Sequence, residues 1–446
     1  MQTMVPFRSN HLTMKFIRLT ILVATLSVTG CKLDITNPNG PTDAQVLNTR
    51  DGLITLSVGM RQFYSTSGLE SLILTPGTTS REVKGITTFT NILELESGGT
   101  GLPTFNGNVL NLWLRLLRVM GMAEDLIANA PTVLAGDAAL RSGIVAHANL
   151  FKAIALGGLA TAFEQMPLQT NKNGQVTFVD RKAALTEAIR LLDEAVTLIT
   201  TTPPSAAFTG QVAGTDFDLI NTIQAYRARY NLVAGNYSVA LTAANAVNLS
   251  ARSQFVYNTQ SPNPVYQQAQ IAANYAPRAN FGLPATFVEA GDGRLAFYLT
   301  TPDKTVNGEA LKTLKGFFDA IDRPIPVYLP DEVRLIRAEA LVRSNGDLTA
   351  AVADINAVRT QKTGDPFGVY PGLAAYSGPT TADALLTEIY RQRGAELFLS
   401  GQRLEDSRRF GRPAPPANLT ERNRNFYPYP DQERLTNPAT PADPAI

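Results

Sequence analysis

The segment from Tyr328 to Arg359 constrains the fold more than any other stretch of this chain. Its first half, YLPDEVRLIRAEALVRS, carries apolar residues at three- and four-residue spacing, as an amphipathic helix does. Asn345-Gly346 supplies a turn with positive φ, which we place at Gly346, and Asp347 can cap a second helix. The segment therefore predicts a tetratricopeptide-like helical hairpin, which needs helical neighbours to bury its apolar face.

A second copy of the hairpin pattern lies 111 residues upstream. Gly235, Asn236, Ser238, Ala240, Asn245, Ala246 and Val247 align without a gap with Gly346, Asp347, Thr349, Ala351, Asn356, Ala357 and Val358. This interval is far longer than the roughly 34 residues of a tandem tetratricopeptide repeat. The sequence thus predicts a mostly α-helical fold in which such hairpins form a scaffold interrupted by other material.

The amino terminus has the pattern of a lipoprotein signal peptide. Residues 14–18 (MKFIR) are basic, residues 19–26 form a short apolar run, and Gly30 precedes Cys31, the only cysteine in the chain. Lipid attachment to Cys31 accounts for this order. The alternative is a buried or free surface cysteine, since one cysteine cannot form an intrachain disulfide.

Cleavage before Cys31 would remove residues 1–30 as the signal peptide. We expect the natural start at Met14, because a complete signal begins there. Residues 31–42 are rich in Pro, Asn and Gly and are predicted to be an extended tether between the lipid anchor and the folded protein.

Few of the residue types that carry catalysis remain after residue 30. His147 is the one histidine left, and its apolar helical surroundings favour a buried helix-face role over a catalytic one. Several-ligand His/Cys zinc sites are excluded, no phosphate-binding loop motif is present, and no cofactor or metal is predicted. A net charge of +1 gives no reason to expect nucleic acid.

Three regions are predicted after the tether. Residues 43–250 form a helical part, with helices at Asp43–Thr66, Val109–Ala130, Ala138–Phe163 and Arg181–Thr200 and the first hairpin at Phe217–Leu249. In residues 251–330 the helical period is lost and prolines multiply. Residues 331–446 form a C-terminal helical part with the second hairpin and a Pro-rich tail.

The region 251–330 is predicted to be a loop-rich, variable ligand-binding subdomain with little β structure. Phe and Tyr occupy 8 of the 49 positions from Arg252 to Thr300. This proportion is about twice the aromatic content (Phe, Trp and Tyr) of the whole chain, which is 8%. Aromatic rings suit the apolar face of a pyranose, so the candidate ligand contacts are Tyr257, Tyr266, Tyr275 and Tyr298. The alternative is that these aromatic residues form the region's own core.

Three smaller features carry structural expectations. A short β-hairpin is expected around residues 290–293, between Phe287–Glu289 and Leu295–Leu299. Trp113 stands at helical spacing with apolar neighbours and is assigned to the core. Arginines interleave with acids from Glu388 to Phe410, which indicates ion-pair networks and not a phosphate-binding run.

Ordered short motifs give the chain from Cys31 onward a resemblance to the SusD/RagB lipoproteins. The most specific is Arg393, Glu396-Leu397, Gly401, Arg403, Asp406, Arg409 and Gly411, which keeps the family spacing E-R-x-x-E-L-x-x-E-G-x-R-x-x-D but has Gln392 and Ser400 in place of two glutamates. The others are Cys31 with Leu33-Asp34 and Asn37-Pro38-Asn39; Trp113; Asp292-Gly293-Arg294; Ala338-Glu339-Ala340; Gly346-Asp347 with Ile355-Asn356 and Val358-Arg359; and Pro428-Tyr429-Pro430 with Glu433 and Asn437.

The resemblance implies a mostly helical binding protein that is not an enzyme. Such proteins are lipid-anchored at the outer membrane, face the cell exterior and act as a lid on a TonB-dependent, SusC-like transporter, to which they pass oligosaccharides or other nutrients. No ligand contact carries over, because the ligand positions of the family are not motif-bound. The matched positions are expected to be structural: Glu339, Gly346, Asp347, Asn356, Arg393, Glu396, Gly401, Arg403 and Asp406.

Two other functions stay open from the residues alone. A tetratricopeptide-type scaffold facing the periplasm would bind proteins and have no affinity for glycans. A lipid-anchored glycosidase would turn its ligand over, but no acid/base pair stands out among the many Asp and Glu residues.

Overall fold

The computed structural model describes residues 46–171 and 174–446, of which residues 301–303 are described by their backbone alone. The predicted signal peptide, Cys31 and the tether at residues 31–42 lie outside the described residues. The described residues belong to one compact unit, Val46–Ile446, so the boundaries at 250 and 330 stay predictions about sequence organisation.

Helices dominate the described chain, which confirms the predicted fold class. The α-helices of six or more residues are α1 Arg50–Phe63, α2 Leu69–Thr79, α3 Thr90–Ser97, α4 Gly107–Val133, α5 Ala138–Ala162, α6 Arg181–Thr201, α7 Leu219–Ala234, α8 Tyr237–Asn245, α9 Gly293–Tyr298, α10 Pro330–Arg343, α11 Leu348–Arg359, α12 Ala382–Glu396, α13 Arg403–Arg409 and α14 Asp431–Thr436. Single-turn helices, π turns and 3-10 turns fill several connections, among them a π turn at Tyr64–Gly68 between α1 and α2.

The β structure of the described residues consists of short antiparallel pairs. The strands are β1 Val83–Gly85, β2 Gln165–Pro167, β3 Phe178–Asp180, β4 Gln254–Phe255, β5 Tyr275–Pro277, β6 Leu299–Val306, β7 Glu309–Leu314 and β8 Ile325–Pro326. They pair as β1–β5, β2–β3, β4–β8 and β6–β7. Two of these pairs, β1–β5 and β4–β8, join residues far apart in the chain. Of the two, β1–β5 fastens the loop-rich region to the N-terminal helical part.

Polar side chains begin many of the helices. An oxygen of each capping side chain accepts a hydrogen bond from a free backbone N–H in the first turn, which stabilises the helix start. The caps are Thr49 for α1, Asn106 for α4, Asp137 for α5, Asp180 for α6, Asp218 for α7, Asp347 for α11 and Thr381 for α12.

The long helix α5 lies at the centre of the core, packed against α4 and α6. It is the one helix among the described residues that is long and apolar enough to cross a membrane, and its apolar window is wholly buried in the protein. His147 on α5 is buried, as expected, with Nδ1 2.9 Å from the hydroxyl of Ser57. Burial, with help from Arg61, holds the pKa of His147 well below its usual value, so the ring is neutral.

Both predicted helical hairpins are present, and they pack on each other through α8 and α10. In the first, Gly235 adopts φ +84° and the N–H of Asn236 bonds to the carbonyl of Asn231 at 2.8 Å. In the second, Asn345 adopts φ +54° and the N–H of Gly346 bonds to the carbonyl of Leu341 at 2.8 Å. Each helix thus ends in the Schellman pattern.

The assignment of positive φ to Gly346 is therefore wrong. Asn345 takes the left-handed position, and it corresponds to Gly235 of the first hairpin. The second turn has one extra residue before its cap, Asp347, whose carboxylate accepts from the N–H of Thr349 at 2.8 Å. A gapless alignment matched the caps correctly but displaced the turn by one position.

Trp113 is fully buried, which confirms its assignment to the core. Its ring stacks on Phe178 at 5.8 Å and meets Phe163 edge-on at 4.8 Å. The indole N–H donates to the carboxylate of Glu433 at 3.0 Å, and the hydroxyl of Tyr429 accepts from the N–H of Gln165 at 2.9 Å. The Pro-rich tail therefore wraps the scaffold and closes over this aromatic cluster.

The β-hairpin expected around residues 290–293 is wrong. Asp292 accepts from the N–H of Arg294 at 3.0 Å and so caps α9, which occupies the second predicted strand. The hairpin of this region is instead β6–β7, and it turns at Asn307-Gly308, where both residues have positive φ (+50° and +78°). Two positive φ values at consecutive residues are the requirement of a type I′ turn, for which Asn-Gly is the preferred pair.

Candidate functional site

The four candidate tyrosines do not form a site together. Tyr257 and Tyr298 are buried, and their hydroxyls donate to the carbonyls of Ser65 (3.0 Å) and Glu396 (3.1 Å). Tyr266 is half-buried in the single-turn helix Pro264–Tyr266. A stacking contact needs an exposed ring face, so the rings of Tyr257 and Tyr298 serve the core in this structure.

Tyr275 is also buried, at 5% exposure, but it lies at the edge of a polar cleft. The cleft has a volume of about 240 Å³ and opens between α2, α3, the start of α4 and the turn before β5. Its lining includes five side-chain amides, from Asn91, Asn108, Asn111, Gln268 and Asn274. We call it the amide cleft.

Hydrogen bonds fix the side chains along one wall of the amide cleft. Nη1 of Arg115 donates to Oε1 of Glu70 at 2.9 Å and to Oγ of Ser71 at 2.8 Å. Nε2 of Gln268 lies 3.4 Å from Oε2 of Glu70, and Oε1 of Gln268 accepts from Nδ2 of Asn274 at 3.0 Å. Because these groups hold one another, a ligand would meet donors and acceptors already in place.

The opposite wall offers less constrained groups. Asn91 donates to Oδ1 of Asn108 at 3.2 Å, whereas the exposed amide of Asn111 makes no hydrogen bond within the described residues. The ring of Phe89 is 58% exposed and supplies an apolar face. Glu70 and Arg115 are the charged residues of the lining and they compensate each other, so the amide cleft suits an uncharged, hydroxyl-rich ligand.

A second, larger cleft of about 560 Å³ lies between α9, the turn after β7, the end of β4 and the loop at residues 365–370. We call it the basic cleft, because it is lined by the three cations Arg252, Lys315 and Arg323 and one acid, Asp319. The rings of Phe297, Phe317, Phe367 and Tyr370 complete its lining. Eleven of its lining residues come from the predicted ligand-binding region, residues 251–330.

Neither cleft contains a metal-ligand arrangement. Within the described residues, no group of three or more His, Cys, Asp and Glu side chains is placed to hold a metal ion.

The model of the SusD family matches residues 331–442, and no curated protein shows significant similarity. The match covers the C-terminal helical part of the chain, from α10 to the tail.

Solved structures, among them proteins described as a SusD homolog and as SusD-like, share the fold over most of the chain. A SusD homolog from Bacteroides thetaiotaomicron has a TM-score of 0.70 at 11% identity, covering 91% of this chain and 99% of its own. NanU of B. fragilis has a TM-score of 0.65 at 12% identity, covering 92% and 99%. A SusD-like carbohydrate binding protein from Bacteroides vulgatus has a TM-score of 0.63 at 15% identity, covering 80% and 83%.

The SusD-family motif residues build buried ion pairs, as the interleaved charges indicated. Arg409 donates to both carboxylate oxygens of Glu339 at 2.8 and 2.9 Å, and Arg393 does the same to Asp406. Burial alone would raise the pKa of Asp406, but the guanidinium groups of Arg393 and Arg409 hold that pKa below its usual value. These residues join α10, α12 and α13 and face the interior, so they are structural.

Other motif residues hold backbone segments in place, through hydrogen bonds or by allowing a close approach. Oδ1 of Asn356 accepts from the N–H of Tyr376 at 2.7 Å, and the Arg403 guanidinium donates to the carbonyl of Gly394. Gly401 adopts φ +79°, and a Cβ there would lie 2.7 Å from the carbonyl oxygen of Leu72, so the turn approaches α2 too closely for a side chain.

Gln392, which replaces the first of the two family glutamates, still makes hydrogen bonds to its neighbours. Gln392 accepts from Nη2 of the buried Arg294 at 2.7 Å and donates to Glu388 at 2.8 Å. Arg294 is also bound by Asp292 at 2.7 Å and lies 3.3 Å from Glu396. A neutral amide is sufficient here, since two carboxylates already face the guanidinium. At the second departure, Ser400 donates to the carbonyl of Leu397 at 2.7 Å.

Apart from Tyr275, sequence reasoning missed the residues that line the amide cleft. Nine of the others come from α2, α3 and α4 and two from residues 268–274, so no local pattern unites them. The one available signal was the run of exposed-type amides in FNGNVLN and in QQAQIAAN, which a search for aromatic residues passes over.

Proposed function

We propose that this protein is a lipid-anchored nutrient-binding protein of the outer membrane that captures an uncharged oligosaccharide in the amide cleft. It faces the cell exterior and hands its ligand to a TonB-dependent, SusC-like transporter. The observation that carries the proposal is the amide cleft itself, a concave site with fixed amides, one compensated ion pair and an exposed aromatic ring.

The chemistry of the cleft matches that of a sugar. A hydroxyl group is both donor and acceptor, and each Asn or Gln amide offers both functions within one planar group. The Phe89 ring can cover the apolar C–H face of a pyranose while the amides bind hydroxyls at its rim. A solved neighbour of the same fold is named a SusD-like carbohydrate binding protein, which supports the same ligand class for this chain.

Binding without turnover is favoured over glycoside hydrolysis. The two carboxyl groups of a glycosidase flank the scissile bond about 5–10 Å apart. Glu70 is the one carboxylate among the residues that line the amide cleft, and it is paired with Arg115 at 2.9 Å. A single, already paired carboxylate cannot supply both an acid and a base.

Membrane anchoring and the transporter partner are supported by the sequence. The signal pattern that ends in Gly30-Cys31 supports a lipid anchor, and the match of residues 331–442 to the SusD family supports a SusC-like barrel as the partner. Co-purification of the intact lipoprotein with a large outer-membrane barrel would test the partner. A periplasmic protein-binding scaffold would instead bring down proteins other than a barrel.

Calorimetry with a panel of neutral oligosaccharides tests the ligand site. We expect at least one to bind the chain from residue 32 onward, and Asn111→Ala and Phe89→Ala each to weaken it by about 2–10-fold, the value of one hydrogen bond or ring contact. Both side chains are exposed, so the fold should persist.

Two remote substitutions serve as controls: Asn245→Ala for the amide and Leu435→Ala, at 85% exposure, for the apolar side chain. Neither should change the affinity. Binding that both cleft variants leave unchanged would place the site elsewhere, and release of reducing ends during the titration would show an enzyme.

A further inference from the structure

The basic cleft has a charge that the rest of the chain does not predict. The whole chain carries a formal net charge of +1, yet three cations and one acid line this cleft. Nε of Arg323 is paired with Asp319 at 2.7 Å, and that pair is neutral. Arg252 and Lys315 therefore remain as two uncompensated positive charges.

Neither of these two cations is neutralised by another group. Nη2 of Arg252 donates to the uncharged amide of Gln254 at 3.1 Å. Within the part of the chain that the structure describes, the ammonium group of Lys315 has no hydrogen-bond or ion-pair partner. Both side chains are exposed at the cleft, so an incoming anion would meet them without displacing a protein carboxylate.

Aromatic rings hold Arg252 and form the floor of the basic cleft. The guanidinium carbon of Arg252 lies 5.4 Å from the ring centre of Phe367. Phe367 contacts Phe317 at 6.3 Å, and Phe317 contacts Phe297 at 5.2 Å, so the floor is continuous. A guanidinium stacked on a ring keeps its N–H edge free for a planar, bidentate partner such as a carboxylate.

Gly316 fixes the position of Lys315 at the rim. It adopts φ +63°, and a Cβ there would lie 2.7 Å from the ring of Phe297. The turn after β7 is therefore pressed against the aromatic floor, and only glycine fits. Lys315, the residue before it, is held at the rim beside Phe297, whereas Arg252 lies over Phe367 of the same floor.

We propose that the basic cleft is a second binding site, for a carboxylate-bearing sugar such as a uronate. The carboxylate binds Arg252 and Lys315, and the apolar face of the sugar ring lies on the aromatic floor. This site shares no lining residue with the amide cleft, so the proposal does not depend on the neutral ligand proposed there.

Calorimetry with a trimer of galacturonic acid, and with the corresponding neutral trimer of galactose, tests the proposal. We expect the acidic trimer to bind the wild type and to lose about tenfold in affinity in Arg252→Gln and in Lys315→Gln, since a charge-assisted hydrogen bond contributes about 1.5–3 kcal/mol. Its affinity should also fall as salt is raised from 50 to 500 mM.

The matched control is Lys182→Gln, which removes an exposed lysine from α6, away from the cleft. This variant and Asn111→Ala should bind the acidic trimer as the wild type does. The proposal is overturned if the acidic trimer does not bind, if both cleft variants bind it unchanged, or if Asn111→Ala abolishes its binding, which would place it in the amide cleft.

Discussion

Arg393 on α12 and Asp406 on α13 are joined by two hydrogen bonds, of 2.8 and 3.1 Å, in a site where both side chains are almost fully buried. Arg409 lies 2.9 Å from the same carboxylate and links it to Glu339 on α10. Three helices of the C-terminal part thus converge on one chain of alternating charges. Removing one member would deprive a buried charge of one of its partners.

Arg393→Ala should therefore destabilise the protein by about 3 kcal/mol, since breaking a buried ion pair is costly. This value is at the low end of the usual cost because Arg409 still contacts Asp406 in the variant. Urea unfolding of the chain from residue 32 onward measures the change. The exposed Arg190 provides the control, since Arg190→Ala should change the free energy of unfolding by less than about 1 kcal/mol. Equal effects of the two substitutions would contradict the structural role of the motif.

At the turn of the second hairpin, the left-handed backbone conformation belongs to Asn345 and not to Gly346, so a substitution at Asn345 should lower stability. Asn345→Val places a β-branched residue at φ +54° and should cost about 1–3 kcal/mol, whereas Asn345→Gly should be neutral or slightly stabilising. Thermal melting of both variants measures this. If Gly346→Val proved far more damaging than Asn345→Val, the original assignment of the turn would be right.

The turn shows how far the sequence could predict the hairpins. Helix period and the caps Asp347 and Asn236 located both hairpins correctly, because these signals lie within a few neighbouring residues. The φ of a single residue depends on how many residues separate the helix end from the next cap, and this spacing differs by one between the copies. The Asn307-Gly308 turn, in contrast, was missed in favour of residues 290–293, although Asn-Gly is a strong local hairpin signal.

Glu82 should make stability depend on pH in a window around neutrality. Burial raises the pKa of Glu82 to about 7 despite the nearby Arg403, and its Oε1 accepts from the N–H of Leu399 at 2.9 Å. Between the unfolded pKa of about 4.5 and about 7, the folded chain binds more protons than the unfolded chain, so this residue lowers stability as pH rises.

Glu82→Gln removes this titration. The stability of the wild type relative to the variant should fall by roughly 3 kcal/mol between pH 4 and pH 8, at about 1.4 kcal/mol per pKa unit. Urea unfolding at a series of pH values measures the difference, and comparison with the variant subtracts all other titrating groups. A constant difference across this range would show that the pKa of Glu82 is not raised.

Cys31→Ser should release the protein from the membrane. Acyl chains contribute about 0.8 kcal/mol per buried CH₂, and Cys31 is the only cysteine that can carry them. Membrane fractionation of cells that express the two forms measures the change. A serine variant that sediments with the membrane as completely as the wild type would rule out lipidation as the anchor.

The candidate site was harder to predict than the scaffold. The tyrosines were chosen for local enrichment, and the structure places Tyr257 and Tyr298 in the core because an aromatic ring is as useful there as against a sugar. The amide cleft depends on contacts between distant residues such as Glu70 and Gln268, which no short pattern encodes. Tyr275 reaches its edge only because β5 pairs with β1.

Hydrogen–deuterium exchange with and without the tightest-binding neutral oligosaccharide tests the central claim most directly. Capture in the amide cleft predicts slower exchange in residues 87–111 and 267–275, with no change in the exposed helix α14. Protection confined to other segments, or no protection at a ligand concentration that saturates the calorimetric signal, would contradict the assignment of the amide cleft as the ligand site.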